Sequence, residues 1–186
     1  MRPVRLDDLG ASSKAFEWWS RHRWANIYPL HHRRLFGAWG PYRELHAEEL
    51  EEIFRMVYTA GAALTVAITA YWVERDGSCT PYSVKFPRQA GVIQWWAWLG
   101  RLQVAAHGLT HCVPGQHRPR WIGGNRPWHR EYNRVAMRHL AADLGVPVTR
   151  YVRPGCVKPT SECIFHDREF VLDWDGAMRA LAAACR

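Results

Sequence analysis

Apolar residues recur at intervals of three and four through Leu50, Ile53, Phe54 and Val57, among the acids Glu48, Glu49, Glu51 and Glu52. The spacing predicts a helix from Ala47, with carboxylates gathered at its positive end and Gly61 as its stop. Residues 64–70 form a continuous apolar and β-branched run, the composition of a strand covered on both faces. Val4-Arg5-Leu6 alternates apolar and polar side chains. This predicts a short strand running straight into a loop at Asp7-Asp8, with Leu9-Gly10 and Ser12-Ser13 as turn and helix-cap material. Shorter apolar runs predict a third strand over 102–106, a fourth over 148–152 and a fifth over 170–172. Helices are expected over about 89–99, 131–144 and 177–185, the first two stopped by Gly100 and Gly145. Phe16, Trp19 and Trp24 make a weaker helical stripe that runs into an irregular stretch with Pro29, Gly37, Gly40 and Pro41. Asp76-Gly77 and Pro81 read as a loop.

Strands alternating with helices imply one α/β domain over 1–186 with a mostly parallel sheet, and in such sheets active sites gather beyond the carboxyl ends of the strands. That rule gives the polar residues an address. Asp7-Asp8 end the first strand, His107 and His111 follow the third, and Arg153 follows the fourth.

With 186 residues, 48% apolar and 11 of them Trp, the chain has enough buriable surface for its own core, which argues against disorder or a coiled coil. The longest apolar run, 60–73, is broken by Thr65, Thr69 and Tyr71 and falls short of the roughly 20 residues a bilayer span requires. Asp7-Asp8 arrive with no apolar signal core before them, so a cytoplasmic location is expected. Five cysteines, an odd number without a C-x-x-C pair, read as reduced thiols. The net charge of +8 comes almost wholly from arginine, since Lys occurs only at 14, 85 and 158, and guanidinium suits planar anions.

One carboxylate and two imidazoles at a sheet edge suit Zn²⁺ or a similar divalent ion, and leave coordination positions open for water and substrate. His107 and His111 are four apart, so one helical turn or a tight loop directs both rings to one side. Successive strand residues face opposite sides. Asp7 and Asp8 therefore serve one site only where the backbone turns out of the sheet, a turn that Leu9-Gly10 permits. The loop over 112–128 carries His117, Trp121, Arg126 and Trp128, aromatic faces for stacking on a sugar and a guanidinium for an acidic group. The same Arg and Trp content admits a nucleic-acid-binding module, an alternative that leaves Asp7-Asp8 and the paired histidines unexplained.

Taken together, Arg5-Leu6-Asp7-Asp8 and His107-Gly108-Leu109-Thr110-His111 resemble the polysaccharide deacetylase family, the NodB-homology or carbohydrate esterase 4 type. The resemblance implies a distorted (β/α) barrel, incomplete or open at this chain length, with a mostly parallel sheet, that removes acyl groups, usually N-acetyl, from sugars with a divalent metal. It implies Asp8, His107 and His111 as metal ligands and Asp7 as general base. Arg153-Pro154-Gly155 is similar to the family's R-x-P element, whose arginine orients the base, and Asp173-Trp174 resembles its next motif, at the substrate. Leu6 and Leu9 stand where the family has Phe and Gly around its two acids, and no histidine follows Asp173 as proton donor to the leaving group. His166 is the nearest candidate for that role, with His129 and His117 behind it. The expected partner is an acylated sugar or similar small molecule, with no nucleic acid and no membrane span. A barrel that keeps the metal without turnover is the remaining alternative.

Overall fold

The computed structural model describes residues 2–16, 43–111, 127–153 and 161–186. Along the chain the elements are β1 (Val4–Leu9), α1 (Ser13–Phe16), α2 (Ala47–Thr59), β2 (Leu64–Ile68), β3 (Tyr71–Val73), β4 (Cys79–Pro81), α3 (Tyr82–Lys85), α4 (Pro87–Trp98), β5 (Gln103–Ala106), α5 (Pro127–Leu144), β6 (Val148–Tyr151), β7 (Cys163–His166), α6 (Asp167–Leu172) and α7 (Trp174–Ala184). Five strands form one sheet in the order β6-β5-β2-β1-β7, with every pairing parallel. All five carboxyl ends therefore lie along one edge. The loop expected at Asp76-Gly77 is the turn of an antiparallel hairpin, β3 with β4, in which Tyr71 pairs with Pro81, itself in the strand rather than the loop, and Val73 with Cys79.

Alternation along the strands separates the two faces of the sheet. Val4, Leu6, Val66, Ile68, Val104, Ala106 and Phe165 join one core with Leu50, Ile53, Phe54 and Val57 of α2, Ile93 of α4, Leu140 of α5 and Leu181 of α7. The α2 stripe is held in place at its start, where the His46 N–H donates to Glu49 Oε2 at 2.7 Å, and beside α4, where Trp96 Nε1 donates to Glu51 Oε2 at 2.7 Å. The opposite face carries Arg5, Asp7, Thr65, Gln103 and Arg150, with a small apolar patch of Ala67, Ala105 and Val152. Polar side chains are thus collected on the face opposite the core of α2, α4, α5 and α7.

Glu162, just ahead of β7, accepts from Arg5 Nη1 of β1 at 2.9 Å and from Arg150 of β6. It ties together two strands that stand three places apart in the sheet. No pairing joins β6 to β7 among the described residues.

The fifth strand corrects the sequence reading. Residues 170–172 belong to α6, because Asp167 and Phe170 are buried at a spacing of three and Asp167 and Glu169 occupy the first turn, where carboxylates favour a helix. Three apolar residues in a row carry no period of their own. The strand is instead Cys163–His166, whose four residues line up beside β1 from Val4 to Asp7. No described helix is long and apolar enough to cross a membrane. Cys79, Cys163 and Cys185 are free thiols, and Cys112 and Cys156 lie outside the described residues.

Candidate metal centre

Strand β1 does not stay regular to its end. Its register against β2 slips between Leu6 and Leu9, and Asp8 within the slip has φ +74°. This bulge resolves the facing problem of the two adjacent acids. Asp7 keeps its alternating place on the polar face with Arg5, while the left-handed residue after it carries Asp8 to the carboxyl edge.

His107 directly follows β5, and its N–H donates to the Ile68 carbonyl at 2.8 Å. The chain then turns through Gly108, at φ +96°, and reaches His111 at φ +46° in a tight loop rather than a helix. Neighbouring elements pin that loop. Gly108 and Leu109 carbonyls accept from the N–H groups of Ala70 and Tyr71 at 3.1 and 2.7 Å, and the Leu109 N–H donates to the Tyr132 hydroxyl of α5 at 3.0 Å. The two imidazoles stack, with ring centres 5.0 Å apart and planes 26° from parallel.

One ligand atom from each of Asp8, His107 and His111 lies within 4.8 Å of the others. His107 Nε2 is 3.1 Å from Asp8 Oδ1, and His111 Nε2 is 3.4 Å from the same oxygen. The other nitrogen of His107, Nδ1, lies 3.1 Å from the Val152 carbonyl. A carbonyl only accepts, so Nδ1 carries the proton, and a neutral ring then presents its Nε2 lone pair to a carboxylate that also only accepts. Two acceptors at that separation call for a cation between them, either a proton on the ring or a metal ion. Both ring nitrogens of His111 are buried and lack a hydrogen-bond partner among the described residues, which leaves a second lone pair free to ligate. The donor set fits Zn²⁺ or a similar divalent ion.

The electrostatics agree. Burial opposes the charge on Asp8, yet the hydrogen bond to His107 and the charges of His111 and His107 hold its carboxyl well below the usual range. Burial pushes His111 down to about 4, against the pull of Asp8, so near neutral pH this ring is neutral and keeps one nitrogen lone pair. Asp8 and His111 are the non-glycine residues with positive φ among those described. Positive φ at two of the three converging residues is the kind of backbone strain that clusters at active sites and ligand clamps.

Beside the ligands, both oxygens of Asp7 are held by one guanidinium. Arg5 Nε donates to Oδ1 at 2.8 Å and Nη2 to Oδ2 at 2.9 Å, with both side chains buried. Arg5 is the partner that sequence reasoning missed, although residues two apart on a strand share a face. Arg153, expected in that role, is exposed beyond the end of β6. His166 stands next to Asp7 in the β1–β7 register, its Nδ1 3.2 Å from Glu169 Oε1. Burial disfavours its charged form, but the hydrogen bond it donates to Glu169 and the charges of Asp8 and Asp7 outweigh that and raise the imidazole above its usual range.

The remaining expected site residues have other surroundings. Asp173 is exposed and caps α7, its Oδ1 accepting from the Gly176 N–H at 3.0 Å. Trp174 is half-buried, edge-on to Phe170 with ring centres 5.9 Å apart. Trp121, Arg126 and His117 lie outside the described residues, as do the side chains of Trp128 and His129 at the start of α5. Set against protein-family models, curated proteins and solved structures, the chain matches none of them.

Proposed function

We propose that this chain is a metal-dependent hydrolase that removes an acyl group, N-acetyl first among the candidates, from an amino sugar or related small conjugate. The convergence of Asp8, His107 and His111 at the carboxyl edge of a parallel sheet carries the reading, with Asp8 and His111 in strained backbone states and both ring nitrogens of His111 without a hydrogen-bond partner among the described residues. The likeness of the two motifs to polysaccharide deacetylases supplies the acyl-sugar half of the proposal, including a barrel-like scaffold.

Asp8, His107 and His111 would hold the ion. A divalent ion there supplies Lewis acidity, lowering the pKa of a bound water and polarising a carbonyl. The protein's own groups do the rest. Asp7 does not converge on the ligand atoms and is aimed by Arg5, and each of its oxygens keeps a second lone pair with which to take a proton from the attacking water. His166, favoured as imidazolium by Glu169 and the two aspartates, stands on the same face as Asp7 and can give its proton to the departing amine. The site thus pairs an acceptor and a donor on neighbouring strands.

The test is elemental analysis and acetate release on N-acetylated glucosamine and its oligomers, comparing the parent protein with His107→Ala. The proposal expects about one divalent ion per chain and release of acetate that a chelator abolishes, both missing in the variant. Equal, negligible metal in both proteins after divalent ions are supplied would overturn it. Metal binding without acetate release from any N- or O-acylated sugar would leave the non-catalytic barrel as the correct reading.

A further inference from the structure

A second polar cluster lies under the ligand-bearing turn, and sequence reasoning gave it no role. Lys14 of α1 is only 1% exposed. Its ammonium donates to the Asp8 carbonyl at 3.0 Å, pairs with Glu44 Oε2 at 2.7 Å and pairs with Asp167. One carbonyl and two carboxylates match the three donors of an ammonium and offset the cost of burying its charge. Glu44 Oε2 also accepts from the Gly10 N–H at 3.0 Å. The Asp8 carbonyl takes a second hydrogen bond from the Ala11 N–H at 3.1 Å, and the Gly10 carbonyl accepts from the Thr69 hydroxyl at 2.6 Å. Every peptide group of the turn from Asp8 to Ala11 that carries these bonds is fixed from outside the turn or across it.

We infer that Lys14 is a positioning residue for the metal ligand Asp8: its ammonium, anchored by Glu44 and Asp167, holds the peptide after Asp8 in the left-handed turn that aims the carboxylate at His107 and His111. The inference rests on the metal-centre reading above. The mechanism is direct, since the carbonyl that Lys14 binds belongs to the ligand itself, and rotating that peptide changes ψ of Asp8 and so the turn in which its side chain is set. Asp167 opens α6 immediately after His166, so the same ammonium also ties the end of β1 to the end of β7, where the proposed proton donor sits. Lys14 occupies the place that a structural cation would take in a site built from a carbonyl and two carboxylates.

The experiment measures Co²⁺ affinity by calorimetry and the visible Co²⁺ spectrum for the parent protein, Lys14→Met and Glu44→Gln, with Val57→Ala in the α2 core as a control for lost stability alone. Lys14→Met is expected to bind Co²⁺ about 10- to 100-fold more weakly, with shifted visible bands. Glu44→Gln is expected to move both in the same direction by less, and Val57→Ala to move neither. A folded Lys14→Met protein with parental affinity and spectrum overturns the inference. Should Lys14→Met fail to fold, Glu44→Gln decides the matter, and parental values in that variant overturn it. A parent protein that binds no Co²⁺ sinks the metal centre and this inference together, whereas tight parental binding with indifferent variants sinks only the role of Lys14.

Discussion

Arg5 grips Asp7 through two parallel hydrogen bonds, 2.8 and 2.9 Å long, from two places earlier on the same strand. The same guanidinium reaches Glu162, which also holds Arg150. Removing it would therefore leave two buried carboxylates short of a partner. Arg5→Met is expected to lower folding stability by about 3–5 kcal/mol, read as a drop in the urea midpoint. Arg5→Lys, which keeps charge but loses the planar fork, should fold better and still lose most activity through a lower kcat with little change in KM. An Arg5→Lys enzyme with parental kcat would show that Asp7 needs no such aim.

Acid should weaken the metal-free protein through His111. Its folded pKa is about 4 and its ordinary value is 6.5, so between those limits the unfolded chain binds a proton that the folded chain refuses. Stability then falls as pH drops from 6.5 toward 4, by on the order of 3 kcal/mol, and His111 adds nothing further below that window. Asp8 acts in the same sense in a lower window, because its depressed carboxyl loses its contribution as pH falls below its ordinary 3.8. Urea midpoints in chelator at pH 7 and pH 4.5 provide the measurement. His111→Gln should flatten the dependence, and an unchanged slope in that variant would refute the assignment.

His166 as proton donor predicts an alkaline limb. Activity should fall as pH rises through its elevated pKa, and His166→Gln should cut kcat by about 10²- to 10⁴-fold. Glu169→Gln removes the strongest influence that raises the imidazole, so the limb should move to lower pH with the acid limb unmoved. A pH–rate profile of Glu169→Gln that superimposes on the parent's would assign the donor elsewhere.

The turn after Asp8 tolerates no side chain at its glycine. Gly10 has φ +73°, and a Cβ there would come within 2.7 Å of both Thr69 Oγ1 and the Tyr82 ring. Gly10→Ala should cost at least about 2 kcal/mol, visible as a lowered melting temperature. It should also weaken Co²⁺ binding, and a variant with parental melting and affinity would contradict the packing described.

Much of the site could be read from order and chemistry. Asp8, His107 and His111 stand where strand ends were expected, and a parallel sheet brings strand ends together. What stayed illegible depended on contacts distant in sequence. The bulge at Asp8 is a mismatch between β1 and β2, which neither strand reveals alone. Glu162 and Glu44 look like ordinary surface acids until Arg5 and Lys14 are seen across 157 and 30 positions. Arg5 was the exception, since its place two residues before Asp7 already put the pair on one face. Residues 170–172 went astray because three apolar side chains fit either a strand or a helix, and the buried pair Asp167 and Phe170 decided for the helix.

Asp8 and His111 occupy backbone states that glycine enters freely and that other residues enter at about 1–2 kcal/mol each. Folding stability by itself therefore favours glycine at both places, against the ligand roles proposed for them. On the proposed metal reading, a related chain that dispenses with the ion should drift earliest at 8 and 111, gaining robustness as it loses the site. Glycine at either place would mark the relatives in which that had happened.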